Sequence, residues 1–170
     1  MRAEGTGKNL ELAITMNNQG TLEFTKQSSL NIGAGVLMIN GMVKDSAQIK
    51  YYADANTIIC DGGLIITNYG SMMAAYSDTR TLTLSGGITL AGTNTVFDLV
   101  RASLTLPYVT GNGRLTLSQS DAGASVVTVN QNSDYEFSGT ADESSINNGN
   151  NAGATRPLSF VKNGSGTWTL

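Results

Sequence analysis

Histidine is absent from this sequence of 170 residues. Its absence removes the commonest general acid or base of enzymes and the commonest metal ligand of proteins. Cysteine occurs once, as Cys60, which excludes a disulfide bond within the chain. Charged residues make up only 14% of the chain and the formal net charge is −3, so the protein lacks the basic surface on which nucleic-acid binding depends.

Long apolar runs are also missing. No stretch approaches the roughly 20 apolar residues of a membrane-spanning helix, so we expect no membrane insertion by this segment. Residues 1–8 have no apolar core of the kind that a signal peptide needs, so we expect any export signal to lie outside this sequence.

Hydrophobic residues make up 40% of the chain and recur mainly with a period of two. This period is typical of short strands with one buried face. Glycine and asparagine clusters between the segments predict tight turns, at 17–20, 33–35, 61–63, 86–87, 111–113 and 164–166. The apolar run 64–66 predicts a strand covered on both faces. Alternation predicts strands at 10–14, 20–24, 29–32, 48–51, 57–59, 81–84, 95–99, 103–106, 114–117, 127–129, 135–137 and 167–170.

We expect a single all-β domain over residues 1–170. Short strands separated by frequent turns fit an antiparallel β-sandwich or jelly roll, and they also fit a β-solenoid. The motif [Thr/Ser/Arg]-Leu-Thr-Leu recurs at 81–84, 103–106 and 114–117, with a tryptophan variant at 167–170. Because stacked coils reuse one strand environment, this self-similarity favours the solenoid.

Asparagines that follow predicted strands give a second reason. From Asn68 through Asn94 and Asn112 to Asn130, the residue number rises by 26, then by 18, then by 18 again (94 − 68, 112 − 94 and 130 − 112). Such intervals suit the length of a coil, and stacked asparagines can bond one another along the axis. A chain rich in asparagine also produces such spacings by chance. We therefore predict a parallel β-solenoid, with the antiparallel β-sandwich or jelly roll as the alternative.

The most specific motif lies at 135–170. Residues 135–140 read Tyr-Glu-Phe-Ser-Gly-Thr, and residues 158–170 read Leu-Ser-Phe-Val-Lys-Asn-Gly-Ser-Gly-Thr-Trp-Thr-Leu. This pattern resembles the passenger-associated repeat of bacterial autotransporters, and Leu-Thr-Leu-Ser-Gly-Gly at 82–87 resembles its core. The resemblance implies a right-handed parallel β-helix, assistance in transport through the outer membrane, and a cell-surface or extracellular location. In that family the repeat runs on further, so we expect a fragment of a longer chain.

The resemblance attaches no catalytic residues to the repeat. We therefore expect a non-enzymatic stalk or adhesin-type passenger, without cofactor or metal, whose ligand could be a glycan or a host cell surface. No calcium loop of the Asp-x-Asp-x-Asp type and no glycine-rich calcium-binding nonapeptide occurs. The alternative is a carbohydrate-active or carbohydrate-binding β-helix, such as a polysaccharide lyase or hydrolase or a phage-tailspike-like protein. Carboxylates roughly 5 to 10 Å apart on one face would favour that alternative.

Few side chains are candidates for chemistry. Asp142 and Glu143 are adjacent in a predicted polar loop, 140–156, which is a poor place for a pair of catalytic carboxylates. That loop reads either as a binding loop or as a linker without a role. Asp98 is expected to face solvent, because Phe97 and Leu99 on either side of it should face the core.

Cys60 is expected to pack as a small apolar residue. Tyr51 and Tyr52 should face opposite ways, so one is expected to be exposed, where it could stack on a sugar or be an ordinary surface residue. A second group of aromatic and soft apolar residues comprises Tyr69, Met72, Met73 and Tyr76.

The last strand predicts a further property. Trp168 and Leu170 should point into the core, and an uncovered end of a stack pairs with other chains. We therefore expect this segment to self-associate through the C-terminal end of the solenoid at high concentration, whereas a longer chain that continues the stack would not.

Overall fold

The computed structural model describes residues 10–14, 21–24, 29–41, 47–51, 57–73, 81–99, 103–117, 125–143 and 158–170. These residues form nineteen β-strands, with no helix among them. The strands in chain order are β1 (Leu10–Ile14), β2 (Thr21–Phe24), β3 (Ser29–Asn31), β4 (Leu37–Gly41), β5 (Ala47–Tyr51), β6 (Thr57–Ile59), β7 (Leu64–Asn68), β8 (Gly70–Met73), β9 (Thr81–Thr83), β10 (Ile88–Ala91), β11 (Val96–Asp98), β12 (Leu104–Leu106), β13 (Val109–Gly111), β14 (Arg114–Thr116), β15 (Ser125–Asn130), β16 (Tyr135–Glu136), β17 (Thr140–Asp142), β18 (Leu158–Asn163) and β19 (Trp168–Thr169).

Every strand pairing among the described residues is parallel and joins a strand to the one three places further along the chain. The first row of strands has the order β1-β4-β7-β10-β13, followed by the separate pair β16-β19. The second row is β2-β5-β8-β11-β14-β17. The third row consists of β3-β6-β9 and β12-β15-β18. Since consecutive strands do not pair as hairpins, the antiparallel alternative is wrong for this part of the chain.

The number of residues between paired positions is large and varies along the chain. In the first row Leu10 pairs with Leu37 and Leu37 with Leu64, so the residue number rises by 27 at each of these steps (37 − 10 and 64 − 37). Leu64 then pairs with Ile88, where the rise is 24 (88 − 64). In the second row the residue number rises by only 18 from Val96 to Arg114 (114 − 96). The segments between strands absorb these differences, as loops readily do.

Large apolar residues stack in columns on one side of each row. Leu37, Leu64, Ile88 and Val109 form one such column of the first row, and all are 0 to 1% exposed. Burial of each such side chain stabilises the fold by about 1.5–3 kcal/mol. Ile65 is only half-buried, so the prediction that 64–66 is covered on both faces is wrong.

The predicted strand segments that lie within the described residues coincide with strands. The alternation missed other strands. These are β4, β8, β10, β13, β17 and β18. The predicted loop 140–156 was wrong at its start, because Thr140–Asp142 forms β17 and pairs with β14. Residues 144–156 of that predicted loop, and the predicted turn at 17–20, lie outside the described residues.

The last strand only partly follows the prediction. Tyr135 pairs with Trp168, and Phe137 donates its N–H to the Thr169 carbonyl, so Leu170 stands opposite Phe137. Trp168 packs against the core as predicted. Leu170, however, is 68% exposed, whereas Phe137 is 2% exposed. Leu170 thus lies in line with the buried Phe137 but is itself exposed, and its place in the core stays a prediction.

Candidate functional site

A column of polar residues crosses three strands of the second row. The register pairs Asp98 of β11 with Thr116 of β14, and Thr116 with Asp142 of β17. Neighbouring strands lie about 4.8 Å apart, so the backbones of Asp98 and Asp142 are about 10 Å apart along the row. We call Asp98, Thr116, Asp142 and the neighbouring Arg114 the polar column.

Arg114 and Asp142 form a two-pronged ion pair within this column. Arg114 Nε lies 2.9 Å from Asp142 Oδ2, and Arg114 Nη2 lies 3.0 Å from Oδ1. Thr116 Oγ1 donates a third hydrogen bond to Asp142 Oδ1 over 2.7 Å. The Arg114 and Asp142 side chains are 27% and 29% exposed. These bonds join β14 to β17, so Asp142 lies on a strand and not in the loop that the sequence predicted.

Asp98 is buried rather than solvated. Its exposure is 0%, and Phe97 and Leu99 on either side of it are equally buried. The prediction that Asp98 faces solvent is therefore wrong, because β11 is covered on both faces at this point. A substrate in solution cannot reach this carboxyl group in the structure.

Asp98 and Asp142 of the polar column are spaced about as a catalytic pair is, but a substrate could not use both of their carboxyl groups. A glycosidase needs one carboxyl group as acid and a second as base or nucleophile, both of which reach the same sugar. Both oxygens of Asp142 already accept hydrogen bonds from Arg114 and Thr116. With Asp98 buried, the arrangement fits a structural link between strands better than a catalytic site.

Glu143 has a different task from its neighbour Asp142. Its Oε1 accepts a hydrogen bond from the Leu158 N–H over 2.7 Å. This bond ties the end of the second row to the first residue of β18. The adjacent carboxylates therefore do not act as a pair.

Cys60 lies in the core and is 0% exposed, which confirms that it packs as a small apolar residue. Burial, with a smaller contribution from the negative charge of Asp61, raises the pKa of the Cys60 thiol to about 12. The thiol is thus protonated and unreactive at neutral pH.

The tyrosines singled out in the sequence are not brought together within the described structure. Tyr69 is 36% exposed in the turn between β7 and β8, while Met72 is fully buried in β8. Tyr51 ends β5, but its side chain lies outside the described part. Tyr52 and Tyr76 also lie outside the described residues, and so does the side chain of Met73.

Sequence reasoning missed a stacked pair of tyrosines. The rings of Tyr108 and Tyr135 lie 4.5 Å apart with an interplanar angle of 19°, and both residues are half-buried. A methyl group on Gly87 would meet the Tyr108 ring, so this ring has Gly87 on one face and Tyr135 on the other. The available signal was the interval between the two tyrosines, which equals the step from Leu10 to Leu37 in the first row (135 − 108 = 37 − 10). With both faces covered, Tyr108 cannot stack on a sugar.

The geometry explains the glycines of the motif at 158–170. Lys162 Nζ donates to the carbonyls of Asn163, at 2.7 Å, and Gly164, at 3.0 Å. Gly164 has a φ of +84°, and a Cβ at Gly166 would collide with the Ser133 carbonyl. Glycine avoids both the strain of a positive φ and this collision. The lysine and the two glycines therefore shape the turn that leads into β19.

Trp168 anchors that last strand. Its Nε1–H donates to the Val109 carbonyl over 2.9 Å, and its ring lies edge-on to Phe160 at 5.4 Å. Between Val109 and β19 lies β16, which is joined to β13 by the bridge between Gly111 and Phe137 and by the hydrogen bond from Thr110 Oγ1 to the Glu136 carbonyl. The indole N–H thus donates to the Val109 carbonyl, a role that the backbone N–H of a paired strand has elsewhere in the row.

Asparagine side chains on paired strands form hydrogen bonds with one another, as the sequence spacing suggested. The asparagines that are bonded to each other differ from the predicted pairs. Asn68 Nδ2 donates to Asn40 Oδ1 over 2.6 Å, and Asn163 Nδ2 donates to Asn130 Oδ1 over 2.9 Å. Asn112 Oδ1 instead accepts the Gly92 N–H at 2.8 Å. The predicted series from Asn68 through Asn94 and Asn112 to Asn130 is therefore wrong, although the principle of bonding along the row holds.

In the part of the chain that the structure describes, no group of three or more His, Cys, Asp or Glu side chains could hold a metal ion. None of the described elements is a helix long and apolar enough to cross a membrane.

Comparison with protein-family models, with curated proteins and with solved structures finds no match. The resemblance to the passenger-associated repeat therefore depends on the motif at 135–170 and on its shorter counterpart at 82–87.

Proposed function

We propose that the protein is a right-handed parallel β-helix with three strands in each coil, and that it acts as a non-enzymatic passenger displayed on a cell surface or secreted. The observation that carries the proposal is the parallel pairing of each strand with the one three places further on. A coil so defined takes one strand from each row, for example β4, β5 and β6. Parallel crossover connections are overwhelmingly right-handed, which favours that hand here.

The residues of the motif support a role as a stalk. Lys162, Gly164 and Gly166 shape a turn, and Trp168 bonds the last strand to Val109. All of these contacts are made within the chain. A repeat whose residues build a coil is consistent with the passenger-type repeat that the sequence resembles, which carries no chemistry.

The location of the protein tests the proposal most directly. Antibodies against the chain would be applied to intact cells that produce it and to cells whose outer membrane has been permeabilised. A periplasmic protein serves as the control for leakage. We expect labelling of intact cells and cleavage by added protease. Labelling that requires permeabilisation would contradict surface display, and the absence of a membrane-barrel pattern in the coding sequence beyond Leu170 would contradict the autotransporter class.

A carbohydrate-active β-helix is the second candidate, and the polar column is the observation that favours it. The backbones of two aspartates lie about 10 Å apart on one row, which is close to the separation of roughly 6.5–9.5 Å between the carboxyl groups of inverting glycosidases. The test is incubation with acidic and neutral polysaccharides, followed by measurement of reducing ends and unsaturated products. We expect no turnover. Turnover that disappears in Asp142→Asn and persists in Glu143→Gln would establish the second candidate instead.

A further inference from the structure

Two tyrosine rings lie face to face at the corner where the chain passes from the third row of strands to the first. Tyr108 immediately precedes β13, and Tyr135 is the first residue of β16. The ring centres are 4.5 Å apart and the ring planes differ by 19°. Both residues are half-buried, so neither is sealed from solvent.

This pair spans an interrupted step of the first row. β13 is the last strand of the five-stranded sheet, and β16 pairs separately with β19. The bridge between Gly111 and Phe137 and the hydrogen bond from Thr110 Oγ1 to the Glu136 carbonyl join β13 to β16. A covalent link between the two tyrosines would therefore reinforce the step at which the ladder of the row is shortest.

We propose that Tyr108 and Tyr135 are a site of oxidative cross-linking, at which a one-electron oxidant joins the two rings by a carbon–carbon bond. Two benzene rings joined by a single bond have their centres about 4.3 Å apart, which is the sum of one C–C bond and two ring radii. The observed distance of 4.5 Å is nearly the same. The bond therefore forms by tilting the rings, without moving the two coils apart.

The bond forms when two phenoxyl radicals couple. A haem peroxidase that has reacted with hydrogen peroxide takes one electron from each phenol, and each hydroxyl group releases its proton. The unpaired electron is then shared between the phenolic oxygen and ring carbons that include both Cε atoms. One Cε of each ring contributes its electron to the new bond, and the hydrogen on each of these carbons moves to the phenolic oxygen. One peroxide is reduced to two water molecules, and the protein loses two hydrogen atoms.

Proximity favours this pair over encounters between separate molecules. Two rings in contact react at an effective concentration far above the micromolar concentration of a protein in solution. Tyr69, in the turn between β7 and β8, is 36% exposed and so meets an oxidant readily. We therefore expect Tyr69 to be oxidised without contributing to the cross-link within one chain.

Oxidation of the whole chain by a haem peroxidase and hydrogen peroxide tests the proposal. Dityrosine fluorescence of the monomeric fraction measures the product, and mass spectrometry of its peptides should locate a link between Tyr108 and Tyr135. Tyr108→Phe and Tyr135→Phe keep the ring but remove the hydroxyl group, and each should lower the yield at least about tenfold. Tyr69→Phe is the matched control at a more exposed residue, and it should leave the yield unchanged.

Stability gives a second readout. The bond closes a loop in which the residue number rises by 27 (135 − 108), and such a loop restricts the unfolded chain. We expect the cross-linked monomer to have a higher Tm than the untreated protein. We also expect slower hydrogen exchange of the Ser138 N–H, which donates to the Gly111 carbonyl across the same step.

Several results would overturn the proposal. The absence of dityrosine from the oxidised monomer would do so, and so would an equal yield in Tyr108→Phe. Dityrosine found in covalent dimers but not in monomers would show that the rings couple by collision. Oxidation confined to Trp168, with both tyrosines intact, would show that the indole is oxidised in their place. The cross-link does not depend on where the protein is located, so its failure would leave the proposed passenger role untouched.

Discussion

Replacing Trp168 by phenylalanine removes one hydrogen bond and part of one ring from the last coil. The lost bond is the donation from Nε1 to the Val109 carbonyl at 2.9 Å. Val109 is 0% exposed, so its carbonyl would lose a partner in a place that water does not readily reach. Leaving a buried acceptor without a partner costs about 1–3 kcal/mol.

The smaller ring also changes the contact with Phe160, whose ring lies 5.4 Å from that of Trp168. An aromatic contact of this edge-on kind contributes about 0.5–1.5 kcal/mol, only part of which phenylalanine would lose. We therefore expect Trp168→Phe to lower the free energy of unfolding by about 2–3 kcal/mol. For a chain of this size that corresponds to a fall in Tm of about 4–12 °C.

Urea unfolding followed by circular dichroism measures the free energy, and hydrogen exchange shows where it is lost. The N–H groups of Tyr135 and Phe137 donate to the carbonyls of Thr167 and Thr169, so they report directly on the docking of β19. We expect their exchange to accelerate, while the N–H of Leu64, which donates to Gly87, stays protected. This pattern would localise the loss to the last coils.

Phe160→Leu is the matched control for Trp168→Phe. It removes the ring contact but keeps the indole bond, so it should cost about 1 kcal/mol and leave the exchange of Tyr135 nearly unchanged. A loss below about 0.5 kcal/mol for Trp168→Phe, which is the range of an ordinary surface substitution, would refute the reasoning.

Other substitutions test separate parts of the fold. Asp142→Ala should cost about 1–2 kcal/mol in urea unfolding, because it breaks the partly exposed pair with Arg114. Burial raises the pKa of the Cys60 thiol to about 12, whereas the thiol pKa of the unfolded chain is near 9. The stability that the buried, protonated thiol contributes is therefore present below pH 9 and is lost as the pH rises from 9 towards 12. Cys60→Ala should flatten that part of the pH profile of unfolding. Gly166→Ala should cost on the order of 1–3 kcal/mol, since its Cβ would meet the Ser133 carbonyl.

Each of these substitutions has a control. Glu143→Gln keeps an acceptor for the Leu158 N–H and should be nearly neutral beside Asp142→Ala. Rapid reaction of Cys60 with a thiol reagent in the native protein at pH 8 would contradict its burial. Ser165→Ala changes an exposed neighbour of Gly166, so a loss of stability as large as that of Gly166→Ala would show that the collision is not the cause.

Several strands with large residues two apart could be predicted from the sequence. Arg114–Thr116 and Leu104–Leu106 belong to this class, and their alternation is visible locally. Gly70–Met73 begins with glycine and serine and was missed. Its place in the second row depends on pairing with distant residues, Ala47 on one side and Val96 on the other, which no local pattern contains.

The polar column could not be predicted from the local sequence either. Alternation indicated on which face of its strand Asp98 lies, but not that another part of the protein covers that face. Asp142 looked like a loop residue because its partner Arg114 lies far earlier in the sequence. The interval between Tyr108 and Tyr135 was visible, but it becomes informative only once the step of the first row is known.

Backbone NMR of the labelled protein can show whether each strand pairs in parallel with the third strand further along the chain. The parallel register predicts cross-strand nuclear Overhauser contacts from Thr89 to both Ile65 and Thr110, because Thr89 pairs with each of them. It predicts no close Hα–Hα contacts between β10 and β11, which antiparallel pairing of consecutive strands would produce. The presence of those β10–β11 contacts, with none from Thr89 to Ile65 or Thr110, would contradict the account.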